Sequence, residues 1–197
     1  MVQNPYQNAL LPAPVGGGYS DQDYWIWCGS VVQGEDGAYH MFASRWPKDL
    51  GFGANWLFNC EIVRASSKNP EGPYTFQEVV LGRRGRTFFD GMNVHNPYIR
   101  KWNQTYYLYY MGTTFGGPIP GPGDEVDSSR FTEVWNRKRI GLATAPSVFG
   151  PWTRCDEPLI SPRDCSHWDC TATTNPAVAI QPDGTTYMLY KSRSFAD

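Results

Sequence analysis

Asp90 stands six residues before Asn96-Pro97, and Asp169 stands six residues before Asn175-Pro176. Each Asn-Pro opens an apolar run, a turn and an aromatic run, DGMNVHNPYIRKWNQTYYLYY in one copy and DCTATTNPAVAIQPDGTTYMLYK in the other. Such a repeat restricts the chain to stacked or radial architectures, in which neighbouring units bury each other's apolar faces. A second stretch keeps step with it. Ala65, Gly72, Pro73, Tyr74 and Thr75 recur as Ala143, Gly150, Pro151, Trp152 and Thr153 at a constant offset of 78 residues. A weaker copy of the hairpin, CGSVVQGEDGAYHMFAS, starts at Cys28, which holds the place of Asn96.

The repeats read as strands. Aromatic residues make up 15% of the 197-residue chain, which holds 20 Gly and 16 Pro, and no long window carries a helical period. Asp36-Gly37 and Asp183-Gly184 are hairpin turn signals between β-forming runs. The first unit predicts strands at 31–34, 39–44, 62–66 and 76–81, and the second at 98–101, 106–112, 140–145 and 158–160. Four antiparallel strands per repeat describe a propeller blade. The expected fold class is therefore all-β, a β-propeller of four-stranded antiparallel blades with about two and a half blades present. Blade one is expected over about 23–82, blade two over about 88–162 and the start of blade three over about 167–197. A Pro- and Gly-rich arm over 1–22 precedes them and is expected to pair with the last blade. Propellers close with ~4 to 8 blades, so this ring is incomplete. Either the chain is a piece of a longer propeller or copies of it self-associate to cover unpaired blade edges.

Composition excludes several functions. A net charge of −2 argues against a nucleic-acid surface, and Arg83, Arg84 and Arg86 read as a solvated turn, with a phosphate site as the alternative. No apolar stretch approaches the ~20 residues of a membrane span. The first residues lack the charged and apolar regions of a signal peptide, which leaves localisation open. The five cysteines read as buried free thiols. A Cys155 to Cys165 disulfide and a zinc site of Cys165, His167 and Cys170 are the alternatives, and no other metal set is visible. Asn103-Gln104-Thr105 is a glycosylation sequon in a predicted turn.

A blade brings residues before its first strand, after its second and at the start of its third to one mouth. The catalytic candidates there are Asp90, Asp169 and Asp23, with Asp21 the alternative to Asp23. The substrate-binding candidates are Arg45, Trp46, Glu61, His95, Asn96, His167, Trp168 and Asn175. Carboxylates, indoles and a few cations suit a sugar, whose ring faces stack on Trp while its hydroxyls take hydrogen bonds. Two carboxylates supply the acid and base of glycoside hydrolysis. Each residue has a plainer alternative: an Asp before a strand caps a turn, an Asn before Pro holds one, and a Trp fills space between blades. Glu61 corresponds to Arg139 at the 78-residue offset, so the blade does not demand that acid. Blade two carries an insertion, FGGPIPGPGDEVDSSRFTEVWN, that is read as a pocket wall or lid, or else as a solvated loop.

At GSVVQGEDGAYHMFASRW, HNPYIRKWNQTYYLYYMGTT and TTNPAVAIQPDGTTYMLYKS, with the endings ASSKNPEGPYT and ATAPSVFGPWT, the chain resembles the five-bladed β-propeller glycosidases. These are the grouping around glycoside hydrolase families 43 and 117. The resemblance implies a glycoside hydrolase acting on plant or algal oligosaccharides. It requires no cofactor, and calcium in the axial channel is the one metal it brings in. Family 43 takes a base Asp, a pKa-tuning Asp and an acid Glu from blades one to three, but here Cys28-Gly29-Ser30 and Thr174-Asn175-Pro176 stand at those places. A family 117 arrangement, with a His as acid, would fall on His95 or His167. A glycoside phosphorylase and a non-catalytic sugar-binding propeller are the alternatives.

Overall fold

The computed structural model describes residue 9 and residues 11–193. Three antiparallel sheets follow one another along the chain. The first contains β1 (Tyr24–Gln33), β2 (Tyr39–Pro47), β3 (Glu61–Ser67) and β4 (Thr75–Leu81), hydrogen-bonded in that order. The second contains β5 (Asn93–Trp102), β6 (Thr105–Thr113), β7 (Arg139–Ala145) and β8 (Thr153–Arg154). In the third, β9 (Ala172–Ile180) pairs with β10 (Thr186–Arg193). The chain is an all-β partial propeller: β1 packs on β5 and β5 on β9, so the first strand of each sheet lies innermost.

Each inner strand carries the same irregularity. The backbone is left-handed at Cys28 (φ 56°), Asn96 (φ 51°) and Asn175 (φ 54°). A break in strand register accompanies each one, at Trp27/Ser30, at His95/Tyr98 and opposite Leu189/Lys191. These are bulges that turn side chains toward the axis. Asn tolerates the left-handed region better than most residues, which explains its recurrence before Pro. Both Gly-Pro bonds of the 78-residue repeat, Gly72-Pro73 and Gly150-Pro151, are cis.

The main core lies between sheets one and two. Phe42, Ile62 and Leu81 of the first meet Ile99, Tyr106, Leu108 and Tyr110 of the second, all fully or almost fully buried. Side-chain bonds tie the sheets together. The Asn96 N–H donates to Ser44 Oγ (2.9 Å), the Ile99 N–H to Ser30 Oγ (3.1 Å) and Arg100 Nε to the Val178 carbonyl (2.8 Å).

Three expectations are corrected. The fourth strand of sheet two is Thr153–Arg154, while the predicted 158–160 contributes a single bridge between Ile140 and Ile160. The insertion is not wholly irregular: Ser128–Asn136 forms a helix, α2, and a short helix, α1, spans Trp56–Asn59. Much of the N-terminal arm lies outside the described residues, and with it the expected pairing with the last blade; the described end of the arm leans on blade one. There the Gly18 N–H donates to the Glu71 carbonyl (2.7 Å) and Tyr19 bridges Tyr74. Cys155 and Cys165 are free thiols but exposed rather than buried, and the alternative disulfide between them is not formed. Residues 194–197, the last of the predicted blade three, also lie outside the described residues. No helix among the described residues is long and apolar enough to cross a membrane.

Candidate functional site

A cavity of about 160 Å³ opens at the heads of the inner strands. Cys28, Asn96 and Asn175 line it because the bulges aim them inward. The two amides join, Asn96 Nδ2 donating to Asn175 Oδ1 (2.8 Å). The residues just before two of the bulges, Trp27 and His95, also line the cavity, with Ser44 and Trp46 of β2 beside them.

The helices complete the wall. The Asp127 carboxylate caps α2 by accepting from the Arg130 N–H (2.9 Å), and the helix carries Trp135 to the cavity. α1 begins with Trp56, whose ring meets Trp135 edge to face at 5.5 Å and His95 edge to face at 5.2 Å. Beneath them Leu57, Phe58, Met92, Phe115 and Val134 form a second buried cluster that fixes both helices. The insertion is thus a pocket wall.

His95 is 3% exposed, and its Nε2 has no hydrogen-bond partner. Burial, opposed by the Asn96 amide and reinforced by the Lys138 charge, lowers its pKa to about 3. The imidazole is therefore neutral at physiological pH and offers a hydroxyl group a hydrogen bond, not a proton. Lys138, one residue before β7, is 1% exposed and lines the same cavity. Its ammonium lies 2.8 Å from the Trp135 ring centroid, and Lys191 Nζ approaches the same ring at 5.9 Å. Burial first, then the charges of Lys191 and Arg193, lower the Lys138 pKa to about 6.

Of the residues the sequence nominated, Trp46, His95, Asn96 and Asn175 meet at the cavity. The acids do not, and their expected position at the mouth is corrected. Asp90 is fully buried within blade two, where it accepts from Arg84 Nε (2.7 Å), Tyr110 Oη (2.7 Å) and Arg154 Nη1 (3.3 Å). Asp169 repeats the arrangement, accepting from Arg163 Nε (2.7 Å) and Tyr190 Oη (2.6 Å). Each repeated Asp thus binds an Arg six residues before it and a Tyr on the second strand of its own sheet. Arg84 belongs to this latch, and it also pairs with Asp156 (2.7 Å) instead of being solvated.

The other candidates also lie off the cavity. Arg45 pairs with Glu61 (2.8 Å) and sits between the rings of Tyr24 (4.1 Å) and Phe76 (4.3 Å). Asp23 is exposed, and its carbonyl accepts from the Lys48 N–H (2.9 Å). His167 bonds within its own turn, to Asp164 (3.2 Å) and Ser166 (3.1 Å). Trp168 is 54% exposed and stacks on Tyr190 (5.3 Å). The sequence reading missed Trp27, Trp56, Trp135 and Lys138. One signal was present: at the 78-residue offset Lys138 corresponds to Cys60, and both line the cavity.

No protein-family model matches the sequence, and no curated protein matches it. Solved structures do. A family 117 glycoside hydrolase produced by the marine bacterium Zobellia galactanivorans superposes with a TM-score of 0.65 at 21% identity, over 87% of this chain and 49% of that one. The chain has the fold of the propeller glycoside hydrolases. A GH43_1 enzyme from Xanthomonas citri, complexed with xylotriose, gives 0.53 at 18% identity over 85% of this chain and 39% of that one. The arabinanase of Bacillus subtilis gives 0.52 at 18% identity over 83% and 46%. The chain spans about half or less of the length of these glycosidases.

Calcium, which the resemblance implies, takes six to eight oxygen ligands. The cavity fits it poorly. No carboxylate lines it among the described residues, and two lysines do. Among those residues no group of three His, Cys, Asp or Glu side chains is placed to hold a metal, and this includes the set of Cys165, His167 and Cys170.

Proposed function

We propose that the chain builds the sugar-binding wall of a glycoside hydrolase that acts on plant or algal oligosaccharides. The observation that supports this reading is the cavity itself. Four indoles, Trp27, Trp46, Trp56 and Trp135, surround the unpartnered Nε2 of His95 and the joined amides of Asn96 and Asn175. Indole faces stack on the C–H faces of a pyranose or furanose, and buried amides and imidazole read its hydroxyls. The fold is one in which glycosidases are built. A propeller alone does not fix a reaction, so the wall chemistry decides.

Hydrolysis needs an acid and a base carboxylate flanking the bond. In this reading Asp90 and Asp169 brace their blades, and the acid and base act from elsewhere around the axis. Lys138 and Lys191 support a second reading, phosphorolysis, in which inorganic phosphate replaces water; phosphate-dependent turnover distinguishes the two. Self-association through the β10 edge belongs to the same proposal.

The test is a titration of the chain's tryptophan emission with xylo-, arabino- and agaro-oligosaccharides. At least one series is expected to give a saturable change, and Trp56→Ala is expected to weaken it tenfold or more. Unchanged binding by the Trp56 variant, or no response to these sugars and to their charged counterparts alike, overturns the reading.

A further inference from the structure

Lys138 is a buried amine with no counterion among the described residues. Among the described residues no carboxylate lies within ion-pair distance of Lys138 or Lys191, and none lines the cavity they share. Most buried charges in this chain are paired, as Arg45 is with Glu61, Arg64 with Glu78 and Arg84 with Asp90. That is the usual condition for burying charge. The blade does not impose the lysine, because Cys60 holds the corresponding place in blade one.

The two ammonium groups flank one indole, and Arg193 follows two residues after Lys191 on β10. Lys191 and Arg193 oppose a charge on Lys138, and an anion between the two amines offsets that opposition while accepting from both of them. Beside this positive corner stands the rest of the wall, the His95 nitrogen without a partner and the indole faces. The corner selects an oxyanion, and the adjoining wall selects the ring that carries it.

We infer that the cavity takes an anionic sugar, a uronate or a sulfate ester, whose oxyanion is held by Lys138 and Lys191 while its ring lies on the tryptophans. This rests on the sugar-binding reading above and names its substrate class. Lys138 faces Lys191 and Arg193 of β10, His95 of β5, and the rings of Trp56 and Trp135 from the helices. The free amine is largely neutral above pH 6. Binding an anion draws a proton onto it, so binding near pH 7.5 is accompanied by proton uptake, and affinity falls as pH rises from 6 to 9.

Acidic trisaccharides of galacturonate, glucuronate and mannuronate are titrated into the full chain beside their methyl esters, which keep the ring and remove the charge. A sulfated galactan oligosaccharide and inorganic phosphate complete the set. Tryptophan emission reports binding, and calorimetry in two buffers reports the proton. An acidic probe is expected to bind at least tenfold tighter than its neutral form at pH 6.5. Lys138→Met and the rim variant Lys191→Ala are each expected to remove most of that preference. The better of the uronate and sulfate probes identifies the source of the oxyanion.

Equal affinity for acid and ester overturns the inference and leaves the sugar-binding reading standing. A preference that survives both lysine changes also overturns it. Phosphate binding as tightly as the acidic sugars, and competing with them, overturns it in favour of phosphorolysis. Failure of every sugar, charged or neutral, overturns both readings.

Discussion

Lys138 and Asp90 are both buried charges, and they work in opposite ways. Burial and the charges of Lys191 and Arg193, with no carboxylate beside it among the described residues, hold the Lys138 amine at a pKa of about 6 in the folded state, against ~10.4 in an unfolded chain. Between these values the unfolded chain binds the extra proton, so stability rises with pH across the window; at and below pH 6 the full cost is present. Lys138→Met should therefore raise the melting temperature at pH 6, and by less at pH 10, as thermal melts across that range will show. Asp90 has two arginines and a tyrosine around it. Replacing it with Asn leaves Arg84 and Arg154 short of a counter-charge, a loss of about 3 kcal/mol for a broken buried pair. Chemical denaturation should register that loss while sugar affinity in the folded fraction stays unchanged. The sequence displayed the repeated Asp but not its purpose. The partners were equally repeated, Arg84 with Arg163 and Tyr110 with Tyr190, and a residue that recurs together with its partners serves the unit that recurs.

Among the elements, α2 was hidden and the hairpins were plain. Hairpins announce themselves locally through turn residues and aromatic runs, whereas a nine-residue helix between Gly- and Pro-rich flanks is too short to show a period. Its one local mark is Asp127, the cap. Asp127→Ala should fray the first turn, loosen the seat of Trp135 and weaken sugar binding a few fold with little change in the melting temperature. Titration and thermal melts on the same variant separate those effects. β8 shows the opposite error. Apolar Leu159 and Ile160 drew the predicted strand to 158–160, although Thr153 was already aligned with Thr75, the first residue of β4. A pairing partner, not local composition, chooses which short segment becomes an outer strand. The bulges lie between these cases: the sequence placed Cys28, Asn96 and Asn175 in equivalent positions without revealing that all three are left-handed.

Across the whole molecule, blades hold each other through contacts that no single repeat contains. Glu35, in the turn after β1, accepts from Tyr106 Oη (2.7 Å), Ser147 Oγ and the Val148 N–H of the next blade. Such long-range pairs are invisible to any reading of one segment at a time. The described third sheet ends in β10, where Tyr187 and Leu189 are 62% and 79% exposed. Among the described residues no strand pairs with the outer edge of β10, and an edge with exposed apolar side chains pairs with other strands, so the chain's solution mass should rise with concentration. Leu189→Lys should hold it at one copy, and light scattering across a dilution series will tell. The joined amides at the axis bear on a different matter. The Asn175 oxygen accepts from both Asn96 Nδ2 and Thr174 Oγ1 (2.8 Å each). One acceptor thus carries both a contact within its own strand and the contact to the next blade, so a change at either amide alters the seam between the blades together with the floor of the cavity.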